Sequence, residues 1–303
     1  MGNDAGQSHD HGHDHGHQHD HGHGHGHAHT GGDFDWQAMA EQLELDATMV
    51  LPMVDEIVAA HTPNVDWANI HHVLDLGCGP GVITCALAVH APRAQVVGLD
   101  TSVPLLGRVR HHAVAADLAR RVHAVEADME AALPALRPMD VVWAGMVLHH
   151  PANPAAVLRS VRELLQPGGT LVAVEFAAPP ALEPANLSVV ASGAWERMEA
   201  AAAAQRATRI GHDPVAIDWA GLFASAGFTD ITDRTLTVEH SAPLGPAARR
   251  WVERHVRRSV EWVEGELRHD DRDALLAFAD APLADDVHVV LERRVLTARR
   301  PVH

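Results

Sequence analysis

One segment of nine residues constrains the fold of this chain more than any other: residues 73–81, which read VLDLGCGPG. An apolar run ends at an acid and then passes through three alternating glycines, which is typical of a buried strand that enters a tight loop. The apolar or small residues 82–89 follow without a helix breaker and predict a helix. A strand, a glycine loop and a helix in this order place backbone N–H groups at the helix start, where they can bind a polar ligand.

The spacing of the glycines limits the choice of ligand. Gly77, Gly79 and Gly81 follow the pattern G-x-G-x-G. The dinucleotide fingerprint is G-x-G-x-x-G, and its third glycine would fall on Val82. The spacing therefore disfavours a dinucleotide oxidoreductase. A generic α/β turn is the plainer alternative, because a glycine loop alone is a weak signal.

Further apolar segments continue the alternation of strands and helices. Residues 95–99 end at Asp100, and residues 122–125 are followed by Glu126 and Asp128. Residues 140–144 and 170–176 predict two more strands, with a helix over about 155–165 and a Pro-Gly-Gly turn between them. An acid at the end of the second strand is placed to accept hydrogen bonds from ribose hydroxyls.

Over residues 73–176 this series resembles the class I S-adenosylmethionine (SAM)-dependent methyltransferases that act on small molecules and quinones. The resemblance implies a Rossmann-like α/β fold, with a seven-stranded, mostly parallel sheet and an antiparallel last strand. It also implies that residues 71–176 form the SAM-binding core of a methyltransferase domain that spans residues 33–303.

The resemblance assigns cofactor contacts residue by residue. The backbone of the glycine loop, with Cys78 as a small filler, would approach the methionine part of SAM, and Asp75 would hold its ammonium through water. Asp100 would bind the ribose hydroxyls. Thr101 departs from the larger apolar residue that is usual in the family, which leaves the adenine face to Val103 or Met129. The full set of expected contacts is Asp75, Gly77, Cys78, Gly79, Gly81, Asp100, Thr101, Asp128 (to the adenine amino group), Met129, Trp143 and Ala144 (both on the methionine side).

Methyl transfer from a sulfonium is an in-line displacement, so a base is needed only if the acceptor carries a proton when it attacks. His149 and His150 follow the fourth strand and are the first candidates for that base, although they could simply orient backbone or line the pocket. Glu175, at the end of the fifth strand, is the next candidate and His212 the third. Trp195 or Trp219 could form an aromatic wall for a flat substrate.

Residues 1–32 form a separate, histidine-rich unit that we expect to be disordered, because it has few apolar groups to bury. Neutral imidazole binds Zn, Ni, Co and Cu well, so the tail predicts exchangeable metal sites. A repeat that is merely tolerated and soluble is one alternative. Another is a metal-buffering or metal-delivery protein whose domain binds SAM without turnover. The alternating histidines are His9, His11, His13, His15, His17, His19, His21, His23, His25, His27 and His29.

The segments around the core predict helices. Residues 33–70 predict one or two N-terminal helices, with Pro52 as a break or a first-turn residue. Helical lid insertions are predicted over 177–212, with a single helix over 186–208, and over 241–285. Between them a further helix is predicted from Asp213 to Ala226, with Gly227 as its stop. Residues 228–239 would be the sixth strand, and residues 287–297 the seventh, placed antiparallel between strands five and six.

Composition excludes several classes of protein. The formal net charge of −17 argues against binding a nucleic-acid backbone. No apolar run is long enough to span a bilayer, no apolar leader precedes the tail, and two cysteines offer no disulfide framework. We therefore expect a cytoplasmic enzyme with a small-molecule substrate and with neither a nucleic acid nor a membrane as partner.

Overall fold

The computed structural model describes residues 35–131, 133–184 and 186–302. The histidine-rich tail, with its predicted disorder and metal sites, lies outside these residues. The described helices are α1 (Trp36–Glu56), α2 (Val82–His90), α3 (Val103–Ala115), α4 (Pro154–Leu164), α5 (Ser188–Ala191), α6 (Ala194–Ile210), α7 (Trp219–Ser225), α8 (Pro246–Trp262) and α9 (His269–Asp280). The strands are β1 (His72–Leu76), β2 (Gln95–Asp100), β3 (Val122–Glu126), β4 (Met139–Gly145), β5 (Leu165–Phe176), β6 (Ala181–Glu183), β7 (Thr229–His240) and β8 (His288–Arg299).

The strands form a single mixed sheet, and its order confirms the Rossmann-like prediction. From one edge the order is β3-β2-β1-β4-β5-β8, and these pairs are parallel except for β5 with β8. β7 pairs antiparallel with β8 along residues 289–299. The last strand therefore runs opposite to the others and lies between β5 and β7, as predicted.

The sheet has eight strands rather than the predicted seven. The additional strand is β6, which pairs with residues 288–290 of β8, on the side where β5 pairs with residues 293–299. Three residues are too few to show a strand period, so this strand had no signal in the sequence. It brings the start of the 177–212 segment alongside the sheet.

Helices cover both faces of the sheet. α1, α2 and α3 pack on one face, over a core that includes Leu87, Val109 and Trp143. α4 and α7 cover the other face, over a core that includes Leu148 and Phe223. Burial on both faces explains why the central strands read as nearly continuous apolar runs.

The remaining helices form a third layer over the carboxyl end of β5 and the first half of β8. This helical layer consists of α5, α6, α8 and α9, and it shares an apolar core with the middle of α1 and with β6 and β8. It contains both segments that were predicted as helical lid insertions. The layer thus places Arg206 of α6 against Phe176 at the end of β5.

Three predicted helix limits were wrong. Pro52 lies inside α1 and does not break it. Proline removes one helical N–H, but Pro52 is exposed, so the carbonyl that loses its partner can bind water.

The helix predicted over 186–208 is two helices, α5 and α6, separated by Gly193 at φ +71°. The helix predicted from Asp213 is a 3₁₀ turn followed by α7, which begins where Asp218 accepts a hydrogen bond from the N–H of Gly221. Gly227, at φ +87°, ends α7 as predicted.

One buried acid, Asp271, links α6 to α9 within the helical layer, and this predicts a response to pH. Asp271 of α9 accepts hydrogen bonds from Arg197 of α6 at 2.7 and 2.8 Å and from Arg268 at 2.8 Å. These arginines, Arg197 first, hold the pKa of Asp271 well below its usual range. A depressed pKa stabilises the fold at pH values above the unfolded-state pKa of about 3.9, and the contribution is lost as the pH falls through the folded pKa.

We therefore expect Asp271→Asn to lower the melting temperature at pH 7 by several degrees or less, and the difference from wild type to shrink below about pH 4. Thermal unfolding of both proteins between pH 3 and pH 7 measures this. Asp286→Asn, at an exposed acid, is the control and should follow the wild type throughout. A difference that stays constant over the whole pH range would contradict the prediction.

Candidate functional site

The glycine loop joins β1 to α2 with its backbone in left-handed conformations. The φ angles of Gly77, Gly79 and Gly81 are +67°, +52° and +87°. Residues with a Cβ adopt this region at a cost of about 1–2 kcal/mol each, so the alternating glycines are explained by the backbone path. The predicted order of strand, glycine loop and helix is confirmed. No side chain caps the start of α2, which leaves its first N–H groups available to a ligand.

The three glycines differ in what surrounds them. A Cβ on Gly77 would lie 2.2 Å from Val147, and a Cβ on Gly81 would lie 2.9 Å from the Val109 backbone. A Cβ on Gly79 would meet no atom within 4 Å. Gly77 and Gly81 are therefore required for packing within the protein, whereas Gly79 faces open space where a ligand can approach the backbone.

Asp100, at the end of β2, is bonded directly to this loop. Its Oδ2 accepts a hydrogen bond from the N–H of Gly79 at 2.9 Å, and its Oδ1 accepts one from the N–H of Ser102 at 2.9 Å. Each carboxylate oxygen keeps a further lone pair for a ligand hydroxyl. The structure therefore brings the predicted ribose acid and the predicted methionine loop together.

The predicted adenine contacts lie on the loops after β2 and β3. Thr101 is exposed, and Val103 in the first turn of α3 is 55% exposed. Asp128 is exposed and accepts a hydrogen bond from the N–H of Glu130 at 2.8 Å. Met129 is partly buried and packs on the α4–α7 core. An exposed apolar side chain at Val103 leaves a surface on which a flat ring could rest.

Asp75 is more deeply placed than its predicted role requires. It is 2% exposed, and its Oδ2 accepts a hydrogen bond from the hydroxyl of Thr84 in α2 at 2.6 Å. Burial raises the pKa of Asp75 to about 7, and the charge of Asp100 adds to the effect. Asp75 therefore links β1 to α2, and its contact with a ligand stays a prediction.

Cys78 fits its expected place as a small filler. Its side chain is buried, and its Sγ would lie 2.9 Å from a Cβ on Gly98. Burial is the main cause that raises the pKa of the Cys78 thiol well above its usual range, with the charges of Asp75 and Asp100 adding to it. A thiol held protonated is a poor nucleophile.

Trp143 and Ala144 in β4 point to opposite faces of the sheet. Ala144 packs in the α4–α7 core, so only its backbone is available to a ligand. Trp143 packs on the other face, and its buried Nε1 has no hydrogen-bond partner among the described residues. A Cβ on Gly145 would lie 3.1 Å from that Nε1, so the donor points toward the carboxyl end of β4. An unpaired buried donor at this end fits a site that a polar ligand completes.

The predicted base candidates His149 and Glu175 form one buried pair. Nδ1 of His149 lies 2.6 Å from Oε2 of Glu175, and the two residues are 3% and 0% exposed. Oε1 of Glu175 accepts hydrogen bonds from the N–H groups of Val147 at 3.2 Å and Leu148 at 2.8 Å. Because Glu175 acts as an acceptor throughout, it favours the tautomer with a proton on Nδ1, which leaves Nε2 as the basic nitrogen.

The other candidates occupy different surroundings. His150 is exposed, and its ring centroid lies 4.1 Å from that of His149. His212 is exposed in the loop after α6. Trp219 is fully buried in the α4–α7 core, so it cannot form a wall for a substrate. Trp195 is buried in the helical layer and donates from Nε1 to the carbonyl of Pro180 at 2.9 Å.

The sequence did not indicate three residues at the end of β5. The ring of Phe176 lies 4.9 Å from the ring of His149, and the guanidinium carbon of Arg206 lies 4.5 Å from the Phe176 centroid. Arg293 of β8 pairs with Phe176 across the sheet, with its guanidinium carbon 6.0 Å from the ring. A second buried histidine–glutamate pair, His255 and Glu199 at 2.5 Å, lies in the helical layer. An arginine in the last strand was the one available signal, because charged residues are rare in buried strands.

Residues 35–131, 133–184 and 186–302 contain no group of three or more histidine, cysteine, aspartate or glutamate side chains arranged to hold a metal ion. None of their helices has both the length and the apolar character needed to cross a membrane.

The glycine geometry predicts unequal effects of the same substitution. Gly79→Ala adds a methyl group in open space, so it should cost only the left-handed strain of about 1–2 kcal/mol. Gly77→Ala adds the same strain and an overlap with Val147, which should cost about 1–3 kcal/mol more. Urea unfolding of the two variants measures the difference, and equal stabilities would show that Val147 moves aside without cost.

Comparison with known proteins places the central segment in a family. Residues 73–169 match the methyltransferase domain family. Trans-aconitate 2-methyltransferase of Azoarcus sp. is 36% identical over 99 residues, which are 33% of this chain and 36% of that protein. Ubiquinone biosynthesis O-methyltransferase of Stutzerimonas stutzeri is 33% identical over 111 residues, 35% of this chain and 47% of that protein. The matches reach from 34% to 54% of the length of such curated relatives.

A solved structure supports the fold over a longer stretch. The YcgJ protein of Bacillus subtilis superposes with a TM-score of 0.52 at 15% identity, covering 82% of this chain and 99% of that protein. At this identity the likeness concerns the fold alone. Together with the glycine loop and the sheet order, the family match identifies residues 73–169 as a class I, SAM-dependent methyltransferase domain.

Proposed function

We propose that this chain is an enzyme that transfers a methyl group from SAM to a small-molecule acceptor. The observation that carries the proposal is the loop of Gly77, Gly79 and Gly81, in which Gly79 faces open space and Asp100 accepts its N–H. The family match over residues 73–169 supports the proposal. Both curated relatives described above carry names of methyltransferases that act on small molecules.

The residues around the loop fit SAM. The backbone of the glycine loop would hold its methionine part, and Asp100 its ribose hydroxyls. The adenine would lie between the exposed Val103 and the turn that contains Asp128 and Met129. The unpaired Nε1 of Trp143 would donate to a polar group at the carboxyl end of β4. Asp75 would act on the ammonium only through water, because its carboxyl group is bonded to Thr84.

When bound, SAM supplies an electrophilic methyl group on a sulfonium; the remaining requirements fall on the chain's own residues. His149 is the proposed base, because Nδ1 is held by Glu175 and Nε2 is left to accept a proton from a hydroxyl, amine or acidic carbon. Glu175 is a positioning residue, since it is buried and all its contacts orient His149 and the backbone of residues 147–148. His150 is an alternative base on the exposed side of the same loop.

The histidine-rich tail supports a second candidate function. Eleven histidines at alternate positions would make a metal-buffering or metal-delivery protein, in which the α/β domain binds SAM without turnover. Zn²⁺, Ni²⁺, Co²⁺ and Cu²⁺ are the metals that imidazole favours. In either case the metal ligands lie in residues 9–29 and outside the proposed SAM site.

Calorimetry on the full chain separates these functions. We expect micromolar SAM binding that persists after deletion of residues 1–32. In a separate assay we expect transfer of labelled methyl groups from SAM to a component of a cell extract. Metal binding without any SAM affinity would favour the second function. Saturable binding of NAD would instead revive the dinucleotide oxidoreductase that the glycine spacing disfavours.

Removal of the ribose acid tests the proposed cofactor site. Asp100→Ala should weaken SAM binding by roughly 1–3 kcal/mol, because charge-assisted hydrogen bonds are lost and the Gly79 N–H loses its acceptor. Titration calorimetry measures the affinity, and Asp286→Ala is a control at an exposed acid outside the loop. An unchanged affinity in Asp100→Ala would remove this residue from the site.

Substitution of the proposed base tests the chemistry. With an acceptor found by labelled-SAM screening, His149→Gln should lower kcat by about 10²–10⁴-fold and leave SAM affinity within a few-fold of wild type. Glu175→Gln should lower kcat by a smaller factor, since it changes the orientation and charge around the imidazole and leaves the imidazole in place. Single-turnover rates over a range of pH measure both effects.

His269→Gln is a control at an exposed histidine at the start of α9, outside the loop. If His149 only supports the structure, His149→Gln will lower the melting temperature while the rate and its pH dependence stay those of the wild type. In that case the acceptor reacts without this base.

A further inference from the structure

Two arginines from different elements lie against one aromatic ring beside the proposed base. Arg206 comes from α6 of the helical layer and Arg293 from β8 of the sheet. Their guanidinium carbons lie 4.5 and 6.0 Å from the centroid of the Phe176 ring. The same ring lies 4.9 Å from that of His149. Two positive charges therefore contact the same ring that lies beside the proposed base.

The hydrogen-bond donors of this arginine pair, Arg206 and Arg293, are largely unused. A guanidinium carries five N–H donors. Within the described part of the chain Arg206 makes no hydrogen bond or ion pair, and Arg293 donates once, to its neighbour's carbonyl at Glu292. Nε of Arg293 is buried and has no partner among the described residues. Both side chains are half-buried, and burial is the main cause that lowers the pKa of both arginines from its usual value.

The nearby carboxylates do not form ion pairs with Arg293 in the described structure. Asp46, Glu175 and Glu199 act on Arg293 electrostatically and favour its charge, but none forms an ion pair with it in the described structure. Each already has other partners. Glu175 binds His149 and two backbone N–H groups, and Glu199 binds His255. Asp46 accepts hydrogen bonds from Trp251 and Gln42.

Unpaired, partly desolvated guanidinium donors are costly unless a ligand completes them. A carboxylate or phosphate group can accept two parallel N–H bonds from each arginine, a geometry in which arginine binds strongly. A ligand that spans the Phe176 ring could place such a group on the arginine pair and its methyl-accepting atom toward His149. The charge and the geometry both point to the acceptor side of the site.

We infer that Arg206 and Arg293 bind an oxyanion of the methyl acceptor, so that the acceptor is a small molecule with a carboxylate or phosphate group. This inference rests on the proposed methyltransferase function. The arginine pair selects the acceptor by its charge, and the Phe176 ring packs against the apolar part next to that charge. Binding of SAM itself does not involve these arginines.

The test is calorimetric titration of the full chain with citrate, succinate, benzoate and inorganic phosphate, and with succinamide and benzamide as neutral counterparts. The buffer is at pH 8, where the tail histidines are neutral and do not attract anions. We expect saturable binding of at least one anion and at least ten-fold weaker binding of the neutral amides. The preference between carboxylates and phosphate identifies the oxyanion.

Arg293→Gln and Arg206→Gln should each weaken binding of that anion at least ten-fold, while Arg250→Gln, at an exposed arginine of α8, should not change it. Arg206→Gln keeps the test valid if Arg293→Gln fails to fold. Equal anion affinity in the wild type and both variants would overturn the inference, as would the failure of every anion to bind the wild type. Loss of stability with unchanged anion affinity would make the arginines counterions of Glu175 and Glu199.

SAM binding, measured in the same samples, distinguishes failure of this inference from failure of the proposed function. A chain that binds SAM but no anion overturns this inference and leaves the proposed function intact. A chain that binds anions but no SAM overturns the proposed function.

Discussion

The close packing of Val147 against Gly77 links the two halves of the candidate site. A Cβ on Gly77 would come within 2.2 Å of Val147, so the loop reaches this position only because residue 77 has no side chain. The N–H of Val147 donates to Glu175, and the other oxygen of Glu175 binds His149. The loop proposed for the cofactor and the imidazole proposed as base are thus connected through one packing contact and one carboxylate. A change in either half will be felt in the other, since well-packed interiors transmit such strain.

Local patterns were enough to predict most of the sheet and the loop. Each parallel strand is a short apolar run bounded by an acid or a turn, and the glycine loop differs from its surroundings in composition and in backbone conformation. The predicted antiparallel position of β8 is confirmed, but that prediction came from the family resemblance, because no local pattern reports strand order. Local patterns predicted the limits of the helices less accurately than those of the strands. Pro52 lies on an exposed face that tolerates a lost hydrogen bond, and Gly193 ends one helix immediately before another begins.

The proposed acceptor side of the site could not be predicted from local patterns. Arg206 lies on an alanine-rich helix and Arg293 in a strand with two adjacent arginines, and nothing near either residue indicates that both contact Phe176. Glu199 and His255 likewise meet only because α6 and α8 pack together in the helical layer. These contacts depend on the crossing of elements distant in sequence, so they exist only once the layer has assembled over the end of β5.

The composition of the chain offers an arginine many carboxylate partners, yet Arg206 and Arg293 form an ion pair with none of them among the described residues. The sequence has 40 acidic residues and 23 arginines, and it contains no lysine. With carboxylates in such excess, an arginine readily finds a partner, and many in the described structure do, among them Arg108 with Glu44, Arg197 with Asp271 and Arg294 with Asp233. Exposed pairs of this kind add little stability, so their abundance reflects opportunity more than need.

Among the described residues, Arg206 and Arg293 have no such partner, although both side chains are half-buried. Their surroundings hold Glu175 and Glu199, yet each of these acids is committed to a histidine at 2.5–2.6 Å. The two histidine–glutamate pairs therefore leave the arginines as the unpaired charges at the end of β5. The proposed anion would gain more from short-range contacts in this partly buried site than it loses to the acidic surface, because repulsion from distant surface charges is screened.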